Sequence, residues 1–128
     1  MANYRNRNWE AKERQAERRR REAEAGRLID RVPSLKSLSF QVQEHGVNGP
    51  LGDSKYVRRI PLPHAPALLI MPCTDNQCED GGHDVTREVL SALMAGETSF
   101  QGSDPCHGHT RAASCTRVLR YVAEATYE

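Results

Sequence analysis

Aromatic residues are scarce and long apolar runs are absent. The 128 residues include two Phe, four Tyr and one Trp, and the mean hydropathy is −0.71. A core built from so few large apolar side chains is small, and small cores often need a metal or another cross-link. No stretch approaches the roughly 18–20 apolar residues that a bilayer-crossing helix requires, so no membrane association is expected. The N-terminal region is charged as far as Glu24 and lacks the apolar centre of a secretion signal. The acidic residues among its arginines argue against a transit peptide. The expected location is therefore the cytoplasm, where four cysteines read as metal ligands or free thiols rather than disulfides.

Catalytic signatures are also missing. There is no H-E-x-x-H, no P-C-x-x-C with H-x-E, no G-x-S-x-G and no phosphate-binding glycine loop. His83 and Asp84 near Cys78 could be drawn as a nucleophile set, but adjacent positions rarely supply that geometry. A binding protein is the expected class, ahead of an enzyme.

The charge is unevenly distributed. Residues 1–31 carry ten basic and six acidic side chains, a net of +4, and the other 97 carry eight and eleven, a net of −3. The near-neutral total of +1 thus hides a basic front, which points to an anionic partner. That front, "NWEAKERQAERRRREAEAGRLIDR", is rich in helix formers until Pro33. Its pairs Glu10/Arg14 and Glu17/Arg21 have the favourable acid-first order one turn apart. Trp9, Ala16 and Ala23 form only a thin apolar seam, so the helix is solvated and orders fully against a partner. Residues 1–33 read as a basic helical arm, with Arg14, Arg18, Arg19, Arg20 and Arg21 as its candidate contacts to nucleic acid or protein.

Residues 34–128 read as a small α+β domain. "SLSFQVQ" alternates Leu38, Phe40 and Val42 against polar residues, the pattern of a half-buried strand. "EHGVNGPLGD" reads as a loop or long hairpin turn. "KYVRRIPL" puts Tyr56, Arg58, Ile60 and Leu62 on one face of a second strand. "APALLIM" (65–71) is a continuous apolar run suited to a central strand. From Asp84, a good N-cap, Val85, Val89, Leu90, Leu93 and Met94 trace a helical stripe that ends at Gly96. "ETSFQG" is a brief strand around Phe100. "CTRVLRYVAEATY" fits a strand or a helix, and its β-branched and aromatic residues favour the strand. The expected fold is a mainly antiparallel sheet of about four to five strands with one packed helix, a cysteine cluster and the charged N-terminal extension.

All four cysteines lie beyond residue 70. Cys73 and Cys78, with His83, occupy one turn-rich segment; Cys106 and Cys115 flank a second loop that holds His107 and His109. Structural zinc uses tetrahedral sulfur and imidazole ligands, often two from each of two loops. The x4 spacing of the first pair departs from the tight C-x2-C knuckle of most zinc ribbons and fingers. Gly81 and Gly82 permit positive φ, which would fold the chain back at the start of the helix. The expected ligand set is Cys73, Cys78, Cys106 and Cys115, with His83 orienting the loop as a hydrogen-bond donor. The alternative replaces one cysteine, first of all Cys115, with His83 or His109. Arg87, Arg111 and Arg117 could offset the charge of a zinc–tetrathiolate centre.

The leading functional expectation is a non-catalytic, zinc-stabilised module whose basic arm docks on nucleic acid or a nucleoprotein. The alternatives are an accessory subunit that uses the arm for protein docking, and a thiol redox protein.

Overall fold

The structure, a computed structural model, describes residues 2–46, 49–74, 78, 81–109 and 115–128. It is α+β. After helices α1 (Ala2–Ala25) and α2 (Leu28–Arg31) come strands β1 (Leu35–Gly46) and β2 (Gly49–Arg59). A 3-10 turn (Leu62–His64) leads to the short strands β3 (Ile70–Met71) and β4 (His83–Asp84). Helix α3 (Thr86–Met94) and strands β5 (Ser99–Pro105) and β6 (Arg117–Tyr127) complete the chain. β2, β1, β6 and β5 form an antiparallel sheet in that order, and β3 pairs with β4 in a separate two-stranded sheet. No helix of the described residues is long and apolar enough to cross a membrane.

The period-two pattern decides which face of the sheet is buried. Leu38, Phe40 and Val42 of β1 lie beside Leu119, Tyr121, Ala123 and Ala125 of β6. Val85, and Val89 and Leu93 of α3, join the same buried cluster with Leu28, Leu69 and Met71. Phe40 and Tyr121 meet edge to face at 5.7 Å between centroids, a favoured aromatic geometry. The C-terminal run is a strand, as its β-branched residues favour. The strand expected around Phe100 is also present and extends to Pro105.

Helix α3 begins later than Asp84. Val85 is the residue before its first turn, and the Asp84 carboxylate accepts the Thr86 N–H at 3.1 Å from just outside the helix. Gly96, at φ 76°, ends it with a Schellman motif: Gly96 N–H bonds to Leu93 O and Glu97 N–H to Ala92 O, both at 3.0 Å.

The expectation of a central strand at 65–71 is overturned. The inner strands are β1 and β6, and only Ile70–Met71 is strand, paired with His83–Asp84. Backbone groups of the preceding residues bond elsewhere: Ala67 N–H to Gly26 O at 2.7 Å, and Ala65 O to Leu28 N–H at 2.8 Å. Pro66 has no N–H for a ladder. The segment is apolar because it packs over the core, with Ala65, Ala67, Leu69 and Met71 buried. The segment 44–53, expected as a loop or long hairpin turn, does join the antiparallel strands β1 and β2, but most of it is strand, since β1 runs to Gly46 and β2 starts at Gly49; residues 47 and 48 lie outside the described residues. β2 ends at Arg59, so Ile60 and Leu62 follow the strand rather than belong to it.

Residues 26–32, placed in the arm by composition, pack into the body through fully buried Leu28 and through Val32. Helix α1 itself is largely exposed along its described length, Trp9, Ala16 and Ala23 included. It pairs charges internally, Arg18 with Glu22 at 3.4 Å and Arg20 with Glu17, and Arg21 reaches Asp84 at 3.3 Å.

The outward face of the large sheet forms three cross-strand rows. Val57, Gln41, Val122 and Gln101 make the middle row, flanked by Arg59–Ser39–Glu124–Ser99 and by Lys55–Gln43–Arg120–Ser103. On the inward face the Tyr121 ring lies over Gly102. A Cβ at Gly102 would fall 2.6 Å from the Tyr121 hydroxyl oxygen and 2.8 Å from its Cζ. Gly102→Ala should therefore push the buried ring out of its packing and lower stability by about 1–3 kcal/mol, as overpacking does. Urea denaturation of the two proteins measures the difference, and an unchanged midpoint would contradict the packing described.

Candidate metal centre

Two hairpins supply the cysteines. Cys73 and Cys78 lie between β3 and β4, and Cys106 and Cys115 lie between β5 and β6. The β5–β6 ladder continues past Pro105 through Cys106 N–H to Arg117 O at 2.9 Å, and Cys115 N–H bonds to Gly108 O at 2.9 Å. Both cysteines of that loop are thereby fixed at the sheet end.

The four Sγ atoms lie within 4.8 Å of one another. Two contacts join the hairpins: Cys73 Sγ to Cys115 Sγ at 3.8 Å and Cys78 Sγ to Cys106 Sγ at 3.7 Å. A tetrahedral metal with sulfur ligands at about 2.3 Å requires sulfur–sulfur edges of about 3.8 Å. A disulfide requires about 2.05 Å, and none of the four cysteines is disulfide-bonded. The donor set therefore fits a tetrahedral, sulfur-binding metal ion.

The two glycines have different tasks. Gly82 has φ 141°, a region that side chains rarely adopt. Gly81 is needed for space, because a Cβ there would stand 2.4 Å from Cys78 Sγ and 3.0 Å from Cys106 Sγ. The backbone thus lies directly against the sulfurs, and the N–H groups of Gly82 and Gly108 each reach Cys106 Sγ at 3.4 Å. Burial pushes the Cys106 thiol up, but those two amides, with hydrogen bonds from Cys115 and Cys78, outweigh it and hold the group below the usual thiol range. Cys78 moves the other way. Burial, together with hydrogen bonds to Cys106 and Cys115, pushes it up to about 12. Coordination of a metal by thiolates would displace the protons that these thiols hold.

One buried acid holds both hairpins. Glu44, on the inward face of β1, is fully buried. It accepts Thr74 N–H at 3.1 Å and Thr74 Oγ1–H at 2.6 Å from the first hairpin, and a charged hydrogen bond from Arg117 Nε in the second. Arg117 also donates to the Glu44 carbonyl at 3.3 Å, and Cys73 Sγ lies 3.8 Å from the carboxylate. Burial alone would raise the Glu44 carboxyl. The Thr74 and Arg117 hydrogen bonds and the nearby His83 overcome it, leaving the group below its ordinary range. His83, also fully buried, places Nε2 3.1 Å from Glu44 and Nδ1 2.8 Å from the Asp104 carbonyl. Both ring nitrogens thus face oxygen atoms of the surrounding strands.

The structure thus gathers Cys73, Cys78, Cys106 and Cys115 in one cluster that contains neither His83 nor His109. The His83 nitrogens are engaged by Glu44 and Asp104, so the ring orients the loops through Glu44 rather than at a sulfur. His109 is exposed beside the cluster. Arg117 serves Glu44, Arg87 is exposed, and Arg111 lies outside the described residues. Arg14, Arg18, Arg20 and Arg21 line an open cleft of about 1220 Å³ together with Cys73, Cys78, Gly81 and His109, while Arg19 is elsewhere on the exposed arm. Sequence reasoning misses Glu44 because it stands in an apparent loop. Its signal is the spacing 38, 40, 42, 44, which carries the inward face one step further. No family model, no curated protein and no solved structure matches this chain.

Two outcomes test this geometry. Gly81→Ala should reduce bound metal well below one ion per chain, measured by plasma emission on purified protein, because the methyl displaces Cys78 and Cys106; full occupancy would refute the close approach. Glu44→Gln should cost about 3–5 kcal/mol at neutral pH, the usual penalty for removing one partner from a buried charged network. Because its folded-state pKa is depressed, the contribution of Glu44 is complete above about pH 4.5 and is lost as pH falls below it. The stability difference between wild type and variant should therefore narrow in acid, as read by denaturation from pH 7 to pH 3.

Proposed function

We propose that the chain is a non-catalytic binding module, fastened by zinc at Cys73, Cys78, Cys106 and Cys115, whose basic helical arm docks on nucleic acid or a nucleoprotein. The observation that carries the zinc reading is the pair of sulfur–sulfur contacts at 3.7 and 3.8 Å between the two hairpins. Four protein sulfurs close a tetrahedral shell and leave no position for an activated water, which is the character of a structural site. Reduced thiols in this number also suit the cytoplasm.

The docking reading rests on the net +4 of residues 1–31 and on the exposure of Arg18 to Arg21 along α1. Their partners within the arm are solvent-exposed carboxylates, and such pairs contribute about 0–1 kcal/mol. Phosphates can replace them at little cost, and release of counterions then supplies affinity. A second reading, an accessory subunit docked through the arm, draws on one observation: Trp9 is 64 % exposed on the same helix as exposed Ala16 and Ala23.

Untagged protein should contain one zinc per chain and lack the visible absorption of iron–sulfur coordination. Substituting Arg18, Arg19, Arg20 and Arg21 with Gln should weaken binding to a single-stranded oligonucleotide. The same change should flatten the slope of log affinity against log salt by about 0.7 for each phosphate that is no longer neutralised. An affinity indifferent to both salt and these four residues would leave the protein-docking reading in its place.

A further inference from the structure

We infer that the outward face of the four-stranded sheet is a docking surface for an acidic amphipathic helix of a partner protein. This surface is separate from the arm and from the cysteine cluster, and the proposal goes beyond the function assigned to them.

The face has an apolar centre and a basic surround. Val57 and Val122 are 62 % and 41 % exposed and stand in one cross-strand row, separated only by Gln41. Apart from Trp9 and Met94, they are the large exposed apolar residues of the described chain. Lys55 and Arg120 share the next row on one side, and Arg59 stands in the row on the other. None of these three cations makes an ion pair among the described residues, unlike Arg18, Arg20 and Arg21 of the arm. Glu124 is the lone acid among the three rows. An apolar centre with a polar rim is the anatomy of a protein interface, and the sign of the rim selects carboxylates.

The dimensions fit one helix. Strands about 4.8 Å apart and rows two residues apart make a face of about 14 Å on each side. That is the width of one helix and the length of about ten residues. An open trough of about 910 Å³ runs over the middle row and the row of Lys55 and Arg120. A single nucleic-acid strand fits less well. Sheets grip single strands largely by stacking bases on aromatic rings, and here Phe40 and Tyr121 are turned into the core. A second copy of the chain fits no better, because its long helix α1 is basic and its α3 is already packed.

The test uses the full metal-loaded chain, labelled with nitrogen-15. The probe is a synthetic peptide of about fifteen residues with leucines at positions i, i+3, i+4 and i+7 and glutamates elsewhere. Saturable shifts confined to amides of β1, β2, β5 and β6 are expected. Val57→Ser with Val122→Ser, and separately Lys55→Gln with Arg59→Gln and Arg120→Gln, should each weaken binding about tenfold. Gln at Arg18 to Arg21 should change it by less than about twofold. Retained amide dispersion in each variant shows that it is folded. Shifts that map to α1, the absence of saturation, equal binding of a scrambled peptide, or tighter binding of oligo(dT) to the same face would each overturn the proposal. None of those outcomes bears on the zinc site, and loss of oligonucleotide binding by the arm would leave the sheet proposal standing.

Discussion

Burying a carboxylate is unfavourable unless donors surround it. Glu44 has no exposed surface and draws its donors from Thr74, His83 and Arg117, which belong to or adjoin the two cysteine-bearing hairpins. The acid therefore converts a solvation requirement into a positional one. Satisfying it brings the loop after β3 and the start of β6 to the same end of β1, and the sulfurs follow. Removing a charge from water has a penalty of several kcal/mol. That penalty explains why the hydrogen bonds here are multiple and charge-assisted rather than single. His83 of β4 extends the arrangement by tying Glu44 to the Asp104 carbonyl on β5, so with Arg117 of β6 four strands share one polar junction.

Electrostatics at the cluster point the same way. A divalent ion with four thiolates carries two negative charges, and Glu44 adds a third. The Gly82 and Gly108 amides supply fixed dipoles at Cys106, and Arg117 balances Glu44. Those amides stabilise charge on sulfur without adding a mobile cation, which is why the chain passes so close at Gly81. The main apolar core lies elsewhere: its buried cluster runs from Leu28 and Leu35 through Phe40 to Leu93 and Ala125 and includes none of the cysteines. A metal held at this end would fix two loops to a sheet that already has its own interior. The small number of aromatic residues pointed to a core in need of a cross-link, but α2 and the 65–71 segment add apolar cover that composition did not reveal.

Much of this was readable from the residues. The alternation in β1 and in β6, the stripe of α3 and its Gly96 stop are local signals, and local signals survive folding. The cysteine cluster was legible as a set because no other residues offered four soft donors on two loops. What failed to read was non-local. "APALLIM" has the composition of a central strand, yet Ala65 and Ala67 bond to Leu28 and Gly26, about forty residues earlier, and only Ile70 and Met71 form a short ladder, with His83 and Asp84. A continuous apolar run reports burial, not pairing. Glu44 was hidden for a related reason: glycines on its C-terminal side imitate a loop, while β1 in fact continues through a bulge to Gly46. The Gly81–Gly82 pair signalled positive φ at both positions, but only Gly82 has it. Gly81 answers to the volume of sulfur atoms distant in sequence.

The two faces of the molecule differ in how they handle charge. On α1, arginine and glutamate alternate closely enough to pair within the helix or with Asp84, so the arm carries its counter-charges along and keeps a moderate net field. On the outer sheet, strand geometry prevents this. Side chains two residues apart on one strand stand about 7 Å apart, and the cross-strand neighbours of Lys55 and Arg120 are Gln43 and Ser103, not acids. The cations there remain without carboxylate partners among the described residues, beside valines that water solvates poorly. Exposed valines ringed by cations that have no carboxylate partner among the described residues fit the docking surface proposed for this face.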